Sequence, residues 1–149
     1  LREIQKKYEF SVSQDVLWDS VTVYEILVHW LADDVRGRPK QGQEFSWTWK
    51  LGVEGEFTTK GIYEYIDFGK TIVLRWVDHP AGDIFLRLDV NHLGPNQSEL
   101  IITNGGFPDS SHFDLWLEGA EAGWDSQVEN LRKFLGKHPN PKEEFVTKK

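Results

Sequence analysis

The last third of the chain sets the strongest limit on its fold. An apolar run, Leu100-Ile101-Ile102-Thr103-Asn104, leads into Gly105-Gly106-Phe107-Pro108, and a long amphipathic helix is predicted from about Ser111 to Leu135. Trp116, Ala120, Gly123, Trp124, Val128, Leu131, Phe134 and Leu135 recur at steps of three and four and draw one stripe. Glu118, Glu121, Asp125, Glu129 and Arg132 draw the opposite one. A helix of about 25 residues is about 37 Å long at 1.5 Å per residue. That is too long for a connector in a small domain, so it must lie against something broad.

The segments upstream supply that surface. Residues 2–12 alternate, with Ile4, Tyr8, Phe10 and Val12 on one side and Gln5, Lys7, Glu9 and Ser11 on the other; Lys6 is a misfit on the apolar side. Ser13 is the expected N-cap of the first of two short helices, at about 14–21 and 23–31. Asp33 to Gln43, with Gly37, Pro39 and Gly42, reads as a loop. Strands follow at about Gln43–Leu51 and 56–67, then around Ile72–Val77, Ile84–Val90 and Glu99–Asn104, each bounded by turn residues. In the second of these, Phe57, Thr59, Gly61, Tyr63 and Tyr65 form one row, and Gly61 signals a bend or bulge. Strand, two small helices, about five strands and one long helix make an α+β chain: a curved antiparallel sheet that wraps the C-terminal helix. The expected division is one domain over 1–137 and a loose tail over 138–149, where Pro139 and Pro141 lie.

Composition narrows the function classes. The net charge is −7 and the basic residues are scattered, which argues against nucleic acid as a partner. Cysteine is absent, which removes disulfides, thiolate metal sites and a Cys nucleophile and fits a reducing, cytoplasmic setting. No apolar run is long enough to span a membrane, and the N-terminus lacks a signal-peptide core. There is no Met, so the native start is expected to lie upstream.

No catalytic signature emerges. The histidines His29, His79, His92, His112 and His138 lack metal-site spacing, so neither a metal nor a cofactor is expected. Ser110-Ser111-His112 is contiguous, whereas a triad needs spatial convergence; Ser110 or Ser111 is better read as the cap of the long helix. Carboxylate pairs fall in loop or tail. What stands out is rings: seven Trp, nine Phe and four Tyr, enough to fill a core and also line a pocket. Gly119 and Gly123 inside the long helix each cost about 1 kcal/mol against Ala. Either the sheet approaches closely there or the helix makes room for a cavity.

Three patches carry a family resemblance. They are Ser13-Gln14-Asp15-Val16-Leu17-Trp18-Asp19-Ser20-Val21-Thr22 with Trp30; Gly61-Ile62-Tyr63-Glu64-Tyr65 with Ile72-Val73-Leu74-Arg75-Trp76; and Leu100 to Pro108 followed by Gly123-Trp124-Asp125 and Leu131. In this order they resemble the SRPBCC (Bet v 1-like, START-related) superfamily, and within it the branch typified by the C-terminal domain of the Hsp90 ATPase activator. Asn104 stands where many relatives carry His. The resemblance implies a helix-grip fold of six to seven strands, with a cavity between sheet and helix.

The expected function is non-catalytic binding of a small apolar or amphipathic molecule in that cavity, by a monomer or homodimer. The candidate lining is Trp47, Trp49, Tyr63, Trp76, Leu88, Asn104, Trp116 and Trp124. Two alternatives are an interaction module with a chaperone ATPase as partner, and a cyclase- or hydrolase-like enzyme using Tyr63, Asn104 or His112 on a carbonyl.

Overall fold

Alternating apolar residues build seven strands, and glycine-rich turns space them. The computed structural model describes residues 1–146. In chain order the elements are β1 (Arg2–Phe10), α1 (Gln14–Thr22), α2 (Tyr24–Leu27), β2 (Asp34–Arg36), β3 (Glu44–Lys50), β4 (Glu56–Asp67), β5 (Thr71–Trp76), β6 (Phe85–Gly94), β7 (Gln97–Phe107), α3 (Asp114–Lys137) and α4 (Pro141–Phe145). The strands form one antiparallel sheet in the order β1-β7-β6-β5-β4-β3-β2. The α1–α2 segment carries the chain from one sheet edge to the other. The result is the expected α+β architecture, a curved sheet with a long C-terminal helix and short helices after the first strand.

Ser13 caps α1 as its sequence position implies, its side chain accepting from the Val16 N–H. Buried Leu17, Trp18 and Val21 of α1 join Ile26 and Leu27 of α2 in the core, with Ile72, Leu74, Leu86, Leu88, Val90, Leu100 and Ile102 from the sheet. The Trp30 indole donates to Ser20 O at 2.8 Å, which ties the end of the helical segment back to α1.

Four sequence expectations are corrected. Asp34–Arg36, read as loop, is an edge strand, with Val35 buried and paired in register with Trp47; three residues are too few to show a period. In β4 the row that runs through Phe57, Thr59, Gly61 and Tyr63 does not continue to Tyr65. The register with β5 shifts between Tyr63 and Tyr65, so Tyr63 is buried and Tyr65 is exposed. Gly61 is not the bulge itself; a Cβ there would meet Arg75 O at 2.4 Å and the Phe45 ring at 2.5 Å, so the glycine permits close packing. Part of the expected loose tail is ordered: α4 packs on α1 and α2, Pro141 is buried, and the Phe145 ring lies 4.0 Å from that of His29. Tail residues 147–149 lie outside the described residues.

Candidate functional site: a ring-lined slot under the first half of α3

The end of β7 swings the chain toward α3 through Gly106, whose φ of +90° and closeness to Asp83 O (2.1 Å from a would-be Cβ) leave no space for a side chain. Ser110 accepts from the His112 N–H and caps a 3-10 turn, Ser111–Phe113, that feeds α3. The Arg2 guanidinium fixes this junction, donating to Pro108 O, Ser110 O and the Asp114 carboxylate at 2.6–3.0 Å.

From there α3 behaves as two different helices. Its buried residues, Val128, Leu131, Phe134 and Leu135, all lie in the C-terminal half. Nothing from Asp114 to Gln127 is fully buried. Over that first half a Cβ added at Gly119 or Gly123 would meet nothing within 4 Å. Of the two explanations for these glycines, close approach of the sheet is therefore excluded, and the helix stands off. The space it leaves is an open slot of about 420 Å³. Trp47 and Trp49 of β3, Phe57 and Thr59 of β4 and Trp76 of β5 line it from the sheet; Leu115, Trp116, Ala120 and Trp124 line it from the helix. His79, Ile84, Asn104, Phe107 and Leu31 complete the wall, with Gln127 at one end.

The rings support one another edge-on. Trp47 crosses Trp76 at 88° with centroids 5.8 Å apart, and Trp49 at 89° and 6.3 Å. His79 leans on Trp116 at 5.3 Å and meets the edges of Trp76 and Phe107. Phe57, Leu115 and Trp116 remain largely exposed at the mouth.

Polar groups in the wall are mostly committed. Asn104, buried, spans the sheet-to-helix gap: its Nδ2 donates to Phe85 O at 2.9 Å and its Oδ1 accepts from the Trp124 indole at 3.2 Å. Trp49 Nε1 and Gln127 Nε2 both donate to Leu31 O, at 2.8 and 3.1 Å. This shared acceptor closes one end of the slot and separates it from a polar groove edged by Lys133, Lys137 and His138. Thr59 donates to Asp78. His79 Nδ1 accepts from the Ala81 N–H at 3.0 Å, and burial holds its pKa below the ordinary imidazole value despite the neighbouring Asp78. Among the described residues one buried side-chain polar atom has no partner, Trp47 Nε1.

Six of the eight candidate residues surround this slot: Trp47, Trp49, Trp76, Asn104, Trp116 and Trp124. Tyr63 and Leu88 do not. They lie deeper, around an inner void of about 20 Å³ that Trp47 and Trp124 also touch, and burial pushes the Tyr63 phenol up to about 12. Sequence reasoning missed His79, Phe107, Leu115 and Gln127 as wall residues. His79 sits in a turn and gave no signal; Leu115 follows from the stripe containing Trp116 once the helix is known to stand off. His112 is exposed at the helix start, away from the slot. No described helix is long and apolar enough to cross a membrane.

The same architecture recurs in solved structures. A crystal structure of a Mesorhizobium loti protein matches with a TM-score of 0.77 at 18% identity, over 91% of this chain and 98% of that one. An HSP90 activator from Plasmodium falciparum matches with a TM-score of 0.71 at 20% identity, over 90% and 96%. The solution structure of the Aha1 dimer from Colwellia psychrerythraea matches with a TM-score of 0.74 at 12% identity, over 89% and 94%. At such identities the likeness establishes fold alone. No curated protein sequence matches the chain. The profile of the family described as "Activator of Hsp90 ATPase homolog 1-like protein" matches residues 11–136, from the cap of α1 through nearly all of α3, and the chain belongs to that family.

Proposed function

We propose that this protein binds a small apolar or amphipathic molecule, without transforming it, in the slot between the sheet and the first half of α3. One observation carries the reading: two helix glycines face open space above a wall of tryptophans. A helix that merely completed a core would gain about 1 kcal/mol at each from alanine, and larger residues would add buried area. The slot volume falls in the range of small-molecule sites, and its wall combines rings for contact area with a few polar groups for orientation. An apolar ligand held there raises the melting temperature in a concentration-dependent way, by mass action on the folded state. Native mass spectrometry of the purified protein is the direct test, with retained small-molecule mass expected. A protein that retains nothing and whose melting temperature is indifferent to a panel of apolar compounds would sink the reading.

Family membership favours a second reading, an interaction module for a chaperone ATPase. It predicts capture of that ATPase independently of Trp116 and Trp124. The geometry separates the three residues of an enzymatic reading: Tyr63 lies below the slot, His112 outside it, and Asn104 alone is in the wall, where its amide straps the sheet to the helix.

A further inference from the structure

Exposed apolar side chains gather outside the slot as well as in its mouth. Leu51 and Val53 lie in the β3–β4 connection, where Gly52–Glu54 makes a 3-10 turn, and Phe57 follows in β4. The hairpin holds them together: the Leu51 N–H donates to Gly55 O at 2.7 Å, and Trp49 stacks on Phe57 with centroids 5.8 Å apart. Across the mouth, Leu115 and Trp116 open α3. Phe57, Leu115 and Trp116 line the slot, whereas Leu51 and Val53 do not, and Val53 is fully exposed. A molecule enclosed in the slot would therefore leave the hairpin tip bare. Single exposed apolar residues are ordinary on a protein surface, but a group on adjoining segments marks a contact surface.

Charge decides what covers it. Between Asp109 and Glu121 the chain carries Asp109, Asp114, Glu118 and Glu121 and no Lys or Arg. The N-terminal amine, Arg2 and Lys6 pair with Asp109, Asp114 and Glu121. Glu118, one helical turn on from Leu115, has no ion-pair partner among the described residues, and neither has Glu54 beside Val53. Lys50 is the one cation in the hairpin, against Glu54 and Glu56. A second copy would set carboxylate against carboxylate across a two-fold axis, and an anionic lipid surface would meet the rim with like charge. A basic amphipathic segment supplies both things the surface lacks: apolar side chains for Leu51, Val53 and Leu115, and cations for Glu54 and Glu118.

We propose that the rim of the slot, formed by the β3–β4 hairpin tip and the start of α3, is a docking surface for a basic amphipathic helical segment of a partner protein. A leucine–lysine amphipathic peptide of about four helical turns is the probe, titrated into the intact protein by calorimetry, with its leucine–glutamate counterpart as control. The lysine peptide should bind saturably and the glutamate peptide should give no heat of binding. Val53→Ser combined with Leu115→Ser should weaken the lysine peptide about tenfold. Both positions are exposed, so the melting temperature should stay unchanged. Glu54→Lys combined with Glu118→Lys should weaken it by about threefold to tenfold. Glu129→Lys combined with Glu143→Lys makes the same change in net charge at exposed positions away from the rim and should have no effect.

An equal loss in that last pair would mean that the net charge of −7 alone attracts the peptide, and the proposal would fall. It would fall equally if the lysine peptide did not bind, if the glutamate peptide bound as well, or if the Val53/Leu115 pair made no difference. Two other occupants have their own signatures: a dimer in analytical ultracentrifugation, or co-sedimentation with phosphatidylcholine vesicles, abolished in either case by the Val53/Leu115 pair. Either result would reassign the surface and overturn the proposal. A small molecule retained in the slot is read out separately by its mass, so the two readings can fail independently.

Discussion

The two halves of α3 share one amphipathic stripe and hold to the sheet by different physics. The C-terminal half buries Val128, Leu131, Phe134 and Leu135 directly in the core. The N-terminal half is held by polar struts instead. Arg2 reaches Asp114, Lys6 reaches Asp125 and Glu121, and the Tyr8 hydroxyl donates to Asp125 at 2.6 Å. The Tyr8 phenol is pushed well above its usual range, by burial and then by that carboxylate, while its donated hydrogen bond holds Asp125 below the usual carboxylate range. Exposed ion pairs of this kind contribute little net stability. One half is therefore a fixed anchor and the other a propped lid, and the slot lies under the lid. Lys6, the misfit on the apolar face of β1, is one of the props.

The contrast breaks most visibly under truncation. Leu131→Ala, at a fully buried site, should cost about 2–5 kcal/mol in urea denaturation. Trp116→Ala, at a position 41% exposed, should stay within about 1 kcal/mol despite removing a larger side chain. Comparable losses at the two positions would mean that the lid is core after all. Next in size is Asn104→Ala. It removes the strap between sheet and lid and leaves the Trp124 indole N–H without its acceptor, an unmet hydrogen bond that costs about 1–3 kcal/mol when buried. Hydrogen exchange should show the loss as faster opening around Trp124, with Leu131 protected until global unfolding. Uniform acceleration along α3 would contradict two independent halves.

How far this arrangement was legible depends on which signal each residue gave. Period-two alternation marked β1 and β3 through β7, and the three-and-four spacing marked α3, because those patterns come directly from side-chain direction. The glycines at 119 and 123 marked the half of the helix to look at, but their sequence left close approach of the sheet and spare room equally open, and only the geometry decides between them. The resemblance carried in patches such as Leu100–Pro108 led to the same family as the profile match. The stripe itself misled at one point: it treats Trp116 and Phe134 as equivalents, although Trp116 is 41% exposed and Phe134 8%. Helical periodicity reports which way a side chain points, not how far away the opposing surface lies. The bulge that turns Tyr65 outward was hidden for a related reason, since a one-residue slip is set by pairing with β5 rather than by composition. His79 was invisible because a turn residue enters the wall only through the curl of the sheet.

Glycine replacement sharpens the comparison in the opposite direction. With nothing within 4 Å of a new Cβ, Gly119→Ala and Gly123→Ala should each stabilise the protein by about 1 kcal/mol, through helix propensity and a less flexible unfolded chain. Denaturation midpoints should rise additively if the lid is independent of the core. Gly123→Leu, by contrast, should project into the slot and weaken any ligand-induced rise in melting temperature. A destabilising Gly123→Ala would show that the sheet closes on the helix, and the slot would have to be abandoned.

The smallest expected effect belongs to His79, where lid and sheet meet beside Trp116. Burial lowers its folded-state pKa, against an opposing pull from Asp78. The unfolded chain therefore binds a proton at this site more readily than the native protein does. It follows that the neutral ring's contribution to stability is fully present above the unfolded value of about 6.5 and is lost as pH falls through that value toward the lower folded one. The melting temperature of the parent protein should drop between pH 7.5 and 5 by slightly more than that of His79→Gln, whose amide does not titrate. Comparison of the two proteins cancels the carboxylates common to both. An equal drop would mean that His79 is solvated in the native state, so that the rings of Trp76, Phe107 and Trp116 do not shelter it and the lid sits further from the sheet than its contacts imply.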